Sequence, residues 1–177
     1  LAQGPITGWD FNRTLVALGA MQSGSGEAPG WRLLSYGWLH ATWTHLAVNA
    51  AVVALVGPVI EGGLGRLGAA LTWLAAVVGG GLSIWAFGAP GVTIGASGGA
   101  LGWLGALAVL AVAHPQTRGT RTARAAGRTL ALLLGVQALF DLTTPMISAA
   151  GHLGGLLAGG AAAWLWLRVL RRGRAPG

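Results

Sequence analysis

Gly95-Ala96-Ser97-Gly98 is followed by an apolar run to Ala113 and preceded by the Gly/Pro-rich link Gly88-Ala89-Pro90-Gly91. The run reads as a helix, so Ser97 falls in its first turn. Backbone N–H groups there have no intrahelical partner and can bind a developing negative charge. Small neighbours let another chain approach the hydroxyl closely. A glycine-flanked serine also fits a plain packing site in a membrane helix. The company of His40, His45, Asn49 and His152 is what turns this one toward chemistry.

Composition sets the class. Of 177 residues, 54% are hydrophobic and 8% charged, and the mean hydropathy is +0.65. Soluble domains carry about 25% charged residues. A chain this apolar reads as an all-α, polytopic transmembrane helical bundle. With no cysteine there is no disulfide framework, no thiolate metal site and no cysteine nucleophile. The net charge is +7, all its positive charge arginine. In a soluble protein that balance would suggest nucleic acid. Here the arginines flank apolar runs, which points to topology and anionic headgroups instead. Arginine to the exclusion of lysine suggests a GC-rich bacterial genome, hence a bacterial plasma membrane. The chain starts at Leu1 and reads as a fragment or a processed chain. The apolar run Leu15–Met21 is too short, and wrongly flanked, for a signal peptide.

Five spans follow from the apolar runs. Residues 1–37 form an outer-face segment, with Trp9, Phe11, Leu15, Val16 and Leu18 on a short amphipathic helix, a flexible turn at Ser23-Gly24-Ser25-Gly26, and Trp31-Arg32 as an interfacial anchor. The transmembrane core is 38–170 and the basic cytoplasmic tail 171–177. Span one runs from about Trp38 to Ile60, with Gly57-Pro58 near its end. Glu61 to Arg66 is a polar turn, and span two is about Leu67 to Phe87. Span three, Ser97 to Ala113, covers roughly 25 Å, less than a ~30 Å hydrocarbon core. Its serine end therefore lies below the surface, where water reaches it through a cavity. His114-Pro115 ends it, and Arg118, Arg121, Arg124 and Arg128 make a basic connection. Span four is about Thr129 to Leu142, broken by Pro145. Ile147–Ala150 lead into span five, about Gly151 to Leu170.

Arginine orients the bundle. The ends after spans one, three and five carry Arg66, Arg118 to Arg128, and Arg168 to Arg174, which is nine of the eleven. The positive-inside rule puts these ends in the cytoplasm. Spans one, three and five then enter from outside, so His40, His45, Asn49, Ser97 and His152 share one outer layer. Intramembrane polar groups default to function, and a site open to the outer face follows.

Ser97 needs a base, and His152 in Gly151-His152-Leu153-Gly154-Gly155 is the candidate. Gly151, Gly155 and Gly159 share one face, as do Gly98 and Gly102. Such faces let helices pack closely enough for a serine–imidazole hydrogen bond. The competing reading keeps these glycines as packing and His152 as a satisfied polar group. His45 and Asn49 project from one face at i, i+4 and, with the Ser97 N–H, offer an oxyanion hole. His40 lies a turn and a half nearer the surface and faces elsewhere. A metal site on His40, His45 and His152 lacks a carboxylate or a close histidine pair, so no metal and no cofactor is expected. Asp141 is a weak third member for a triad and fits a capping role better. Glu61 and Arg66 read as structural, His114 lies on the wrong side for chemistry, and Trp103, Trp164 and Trp166 read as packing or lipid-facing.

Together, Trp31-Arg32, His40-Ala41-Thr42-Trp43-Thr44-His45 with Asn49, Glu61 with Gly65, Gly95-Ala96-Ser97-Gly98, and Gly151-His152 with Gly155 and Gly159 resemble the rhomboid intramembrane serine proteases. The similarity runs from Trp31 to Gly159. It implies a six-helix core, five of whose spans are visible here, the missing one preceding Leu1. It implies that Ser97 is nucleophile and His152 its base, with oxyanion contributions from His45, Asn49 and the Ser97 backbone, and His40, Gly95, Gly98, Leu101 and Gly155 in support. The implied substrates are transmembrane segments of other membrane proteins, cut near the outer face, often after a small residue. Many active members carry an aromatic four residues after the serine, where this chain has Leu101. The rival from another class is a non-proteolytic membrane adaptor that binds transmembrane helices in the same groove. A transporter is weaker, since the apolar spans offer only Asn49 and the histidines.

Overall fold

Gly65 divides the longest helix of the molecule. The computed structural model describes residues 8–113, 128, 131–132, 135, 137 and 148–172. Its elements are α1 (Gly8–Ala17), β1 (Met21–Ser23), α2 (Arg32–Ser35) followed by a 3₁₀ turn (Tyr36–Trp38), α3 (Trp43–Phe87), β2 (Gly91–Thr93), α4 (Ser97–Ala113) and α5 (Ala149–Arg172). At 45 residues α3 has twice the length of one crossing. Gly65, at φ 74° and ψ 165°, breaks it into two arms. Backbone of that kind is essentially restricted to glycine. Two indoles brace this break. Trp166 donates to the Leu64 carbonyl at 2.8 Å, and Trp103 donates to the Ala69 carbonyl at 3.2 Å.

The expected polar turn at 61–66 is thus a single-residue joint, because residues 61–64 stay helical. Pro58 is accommodated inside the first arm. Span one also begins later than expected. Thr42 caps α3, its Oγ1 accepting from the His45 N–H at 3.1 Å, and His40 stays in the preceding coil.

α4 is apolar all round, as a central helix must be, and Gly98 to Ala106 are buried without interruption. The first arm of α3 runs alongside it in the same direction: Gly57 packs on Trp103, and Gly63 on Leu110. The second arm runs the other way, with Ala76 beside Gly102 and Gly80 beside Gly98. α5 runs with α4, Gly155 lying against Gly98 and Gly159 against Gly102. The two expected glycine faces meet backbone to backbone. The core is filled by Val56, Ile60, Leu64, Leu104 and Leu110, with Trp73 edge-on to Trp103 at 4.8 Å between centroids. Leu55, Leu67, Leu157 and Leu165 point outward from the bundle. The molecule is an all-α helical bundle. α3 and residues Ala149–Leu170 are long and apolar enough to cross a membrane, and Ser97–Ala113 is shorter. Span four lies outside the described residues except for 131, 132, 135 and 137, and so do Asp141, Pro145, His114 and, apart from Arg128, the basic connection.

The N-terminal segment straps one end of the bundle. β1 pairs antiparallel with β2, Met21 opposite Thr93. The segment read as a flexible turn therefore opens with a strand, fixed further by Ser23 Oγ donating to the Ala89 carbonyl. α1 forms as expected, with Leu15 buried and Phe11 and Leu18 exposed. Ser35 Oγ donates to the Gly19 carbonyl at 2.7 Å, and the Trp85 indole donates to the Glu27 carbonyl at 2.8 Å.

Candidate active site

Because α4, α5 and the first arm of α3 run the same way, their N-terminal ends gather at one end of the bundle. Ser97 is the first residue of α4. The Ala100 N–H is bonded to the Ala96 carbonyl at 3.0 Å, so the N–H groups of Ser97 and Gly98 precede the first intrahelical bond. Ser148 caps α5: its Oγ accepts from the Gly151 N–H at 3.2 Å and its carbonyl from the His152 N–H at 3.0 Å. That cap sets His152 in the first turn of α5. With the helices this close, Ser97 Oγ and His152 Nε2 are hydrogen bonded at 2.7 Å. His152 is buried, 8% exposed.

His45, in the first turn of α3, leans over the loop before Ser97. Gly95 has φ 126°, and a Cβ there would stand 2.8 Å from both His45 Cε1 and Nε2 and 3.8 Å from Ser97 Oγ. Glycine at 95 therefore serves two needs, a left-handed backbone and room for the imidazole. Asn49 lies one turn deeper and is buried, its Nδ2 donating to the His45 carbonyl at 3.1 Å. An amide nitrogen carries a second hydrogen, which that bond does not use. His40 does not face away from its neighbours: it stands edge-on to the His45 ring, centroids 4.9 Å apart. The coil before Thr42 folds back over the helix start, which a continuous helix from Trp38 would prevent. Leu101 is buried in the core cluster with Leu104 and Val56. Among the described residues no group of His, Asp and Glu is arranged to hold a metal ion.

A family model for the Rhomboid domain matches residues 27–169. The chain belongs to the rhomboid family. It is 32% identical over 156 residues to the rhomboid protease GluP of Bacillus subtilis (strain 168), covering 87% of this chain and 30% of that protein. It is 31% identical over 162 residues to RHOMBOID-like protein 2 of Arabidopsis thaliana, covering 90% of this chain and 50% of that one. RHOMBOID-like protein 4 of the same plant is 35% identical over 78 residues, 44% of this chain and 20% of that protein. The chain spans half or less of the length of these relatives. No solved structure matches it. As a rhomboid chain with these apolar helices, it is an integral membrane protein.

Two residues of this rhomboid site had no place in the sequence reading. Gln137, from the expected fourth span, brings its Nε2 to 3.2 Å from His152 Nδ1. Tyr36, 2% exposed, ties the layer together beneath Ser97. Its phenol donates to the Val77 carbonyl at 2.8 Å, and its own carbonyl accepts from the Gly95 N–H at 3.0 Å. Burial pushes the phenol's pKa upward, which keeps it a neutral donor. As the chain's one tyrosine, amid glycine-rich spans, it was the available signal.

Proposed function

We propose that this chain is an intramembrane serine endopeptidase that cuts transmembrane segments of other membrane proteins near the outer face. The observation that carries the reading is the hydrogen bond of 2.7 Å between Ser97 Oγ and His152 Nε2 at the start of α4. In this reading His152 Nε2 takes the Ser97 proton as Oγ attacks the scissile carbonyl carbon. The tetrahedral oxyanion is met by the Ser97 N–H and by His45 and Asn49. His152 then gives its proton to the leaving amine, the C–N bond breaks, and a water repeats the sequence on the acyl-enzyme. Gly95 and Gly98 keep the space around the oxyanion open, Gly155 keeps α5 against α4, and His40 and Leu101 hold the surrounding shell. A substrate helix must first unwind locally, since a helical segment has its carbonyls bonded internally. The arginine distribution supports a site facing outward, and the lysine-free composition a bacterial plasma membrane.

The test is cleavage, in detergent, of a single-span peptide with Ala or Gly near its outer end. Ser97→Ala and His152→Ala should each abolish the cut while the thermal unfolding of the chain is retained. Either variant cutting at near wild-type rate would sink the assignment. Capture of the peptide without cleavage by the wild-type chain would favour an adaptor.

A further inference from the structure

Tyr36 bears on Ser97 from both sides in sequence. Its carbonyl accepts from the Gly95 N–H at 3.0 Å, two residues before the serine. Its phenol oxygen lies against Gly98, one residue after the serine, where a Cβ would stand 3.2 Å away. The phenol donates to the Val77 carbonyl at 2.8 Å. Two glycines on the second arm of α3 make room for the ring: a Cβ on Gly80 would stand 2.8 Å from the phenol oxygen, and one on Gly81 would stand 3.1 Å from Cε1. Met21, Val77 and Ile84 share its buried cluster. A position filled for volume alone would suit phenylalanine, because a buried hydroxyl must find a partner to offset its desolvation. A carbonyl inside an α-helix, such as that of Val77, is already served by the N–H four residues on. The phenol bond is therefore added to a ladder that does not need it, and what it adds is a fixed place for residue 36.

We propose that Tyr36 is a positioning residue: its phenol anchors it on the second arm of α3, so that its carbonyl holds the Gly95 backbone, and with it the Ser97 N–H, in place for the oxyanion. This rests on the oxyanion role assigned above to that N–H. Gly95 is joined to the serine through Ala96 alone, and at φ 126° it has a backbone with other conformations open to it. A bond at its N–H removes that freedom before substrate arrives, which is what preorganised stabilisation of a developing charge requires. The ladder with β1 ends at Thr93, and the Tyr36 carbonyl takes up the hold two residues on.

The test compares Tyr36→Phe, which keeps the ring and the backbone carbonyl but loses the phenol donor, with Val77→Ala, which thins the same buried cluster but keeps the carbonyl that accepts from the phenol. Hydrogen exchange at the Gly95 amide, measured on the full chain in detergent, reports the hold without needing turnover. Tyr36→Phe should speed that exchange about tenfold or more, and lower kcat about tenfold at unchanged KM. Val77→Ala should lower the unfolding temperature at least as far as Tyr36→Phe does, with Gly95 exchange and kcat within about twofold of wild type. An unchanged exchange rate or an unchanged kcat in Tyr36→Phe, or equal changes in the two variants, would each overturn the proposal and leave Tyr36 as core packing. A wild-type chain that cleaves nothing, while Gly95 exchange still rises in Tyr36→Phe, would sink the proteolytic reading and leave the hold on Gly95 standing.

Discussion

At the scale of single residues the site is a set of short polar contacts in an apolar bundle, so each contact weighs more than it would in water. His45 is the most exposed to test. Its ring rests on the Gly95 backbone beside Ser97. An oxyanion donor acts mainly in the transition state, so His45→Ala should lower kcat roughly a hundredfold and leave KM little changed. Steady-state kinetics on the peptide substrate decide it, and a loss confined to KM would assign His45 to substrate binding instead. The contact between Ser97 and His152 was legible in the sequence because both sit in glycine-flanked helix starts and share one expected layer with His40, His45 and Asn49. Gln137 was not: an isolated amide in an apolar run gives no spacing to read, and its partner is on another helix. His40 was misplaced because Thr42, the capping residue that starts α3, was read as part of the span.

Among the elements, the contact between α4 and α5 determines whether serine and histidine meet. A Cβ on Gly155 would run into the Gly98 backbone, which cannot give way as a flexible side chain would. Gly155→Ala should therefore cost about 1–3 kcal/mol by overpacking and push His152 away from Ser97. Gly62 is the control, a helical glycine whose added Cβ meets nothing within 4 Å. There alanine should be neutral or stabilising by up to about 1 kcal/mol. Thermal unfolding and cleavage, measured on both variants, check the pair; equal behaviour would remove the close-packing argument. The helices of this contact could be read from the apolar runs, and α4 has the expected bounds. The β1–β2 ladder could not. Its strands are three residues each and some seventy residues apart in sequence, too short to show alternation. The joint at Gly65 was blurred for a related reason: glycines at 62, 63 and 65 all look like turn residues, and the break needs just one positive φ.

For the whole molecule, parallel runs of the first arm, α4 and α5 put three helix starts at one end, and the proposal that this end faces out rests on the arginine count. The chain has no cysteine, so single-cysteine variants report sidedness cleanly. An impermeant maleimide should label Ala89→Cys on intact cells, and Gly62→Cys once the cells are opened. The reverse pattern would turn the site toward the cytoplasm. The central claim, an activated serine at the start of α4, is tested most directly by a fluorophosphonate probe on the purified protein in detergent. Labelling of the wild-type chain that vanishes in Ser97→Ala and in His152→Ala is the predicted result. A folded wild-type chain that takes no label, or a His152→Ala variant that labels as fast as wild type, would contradict it.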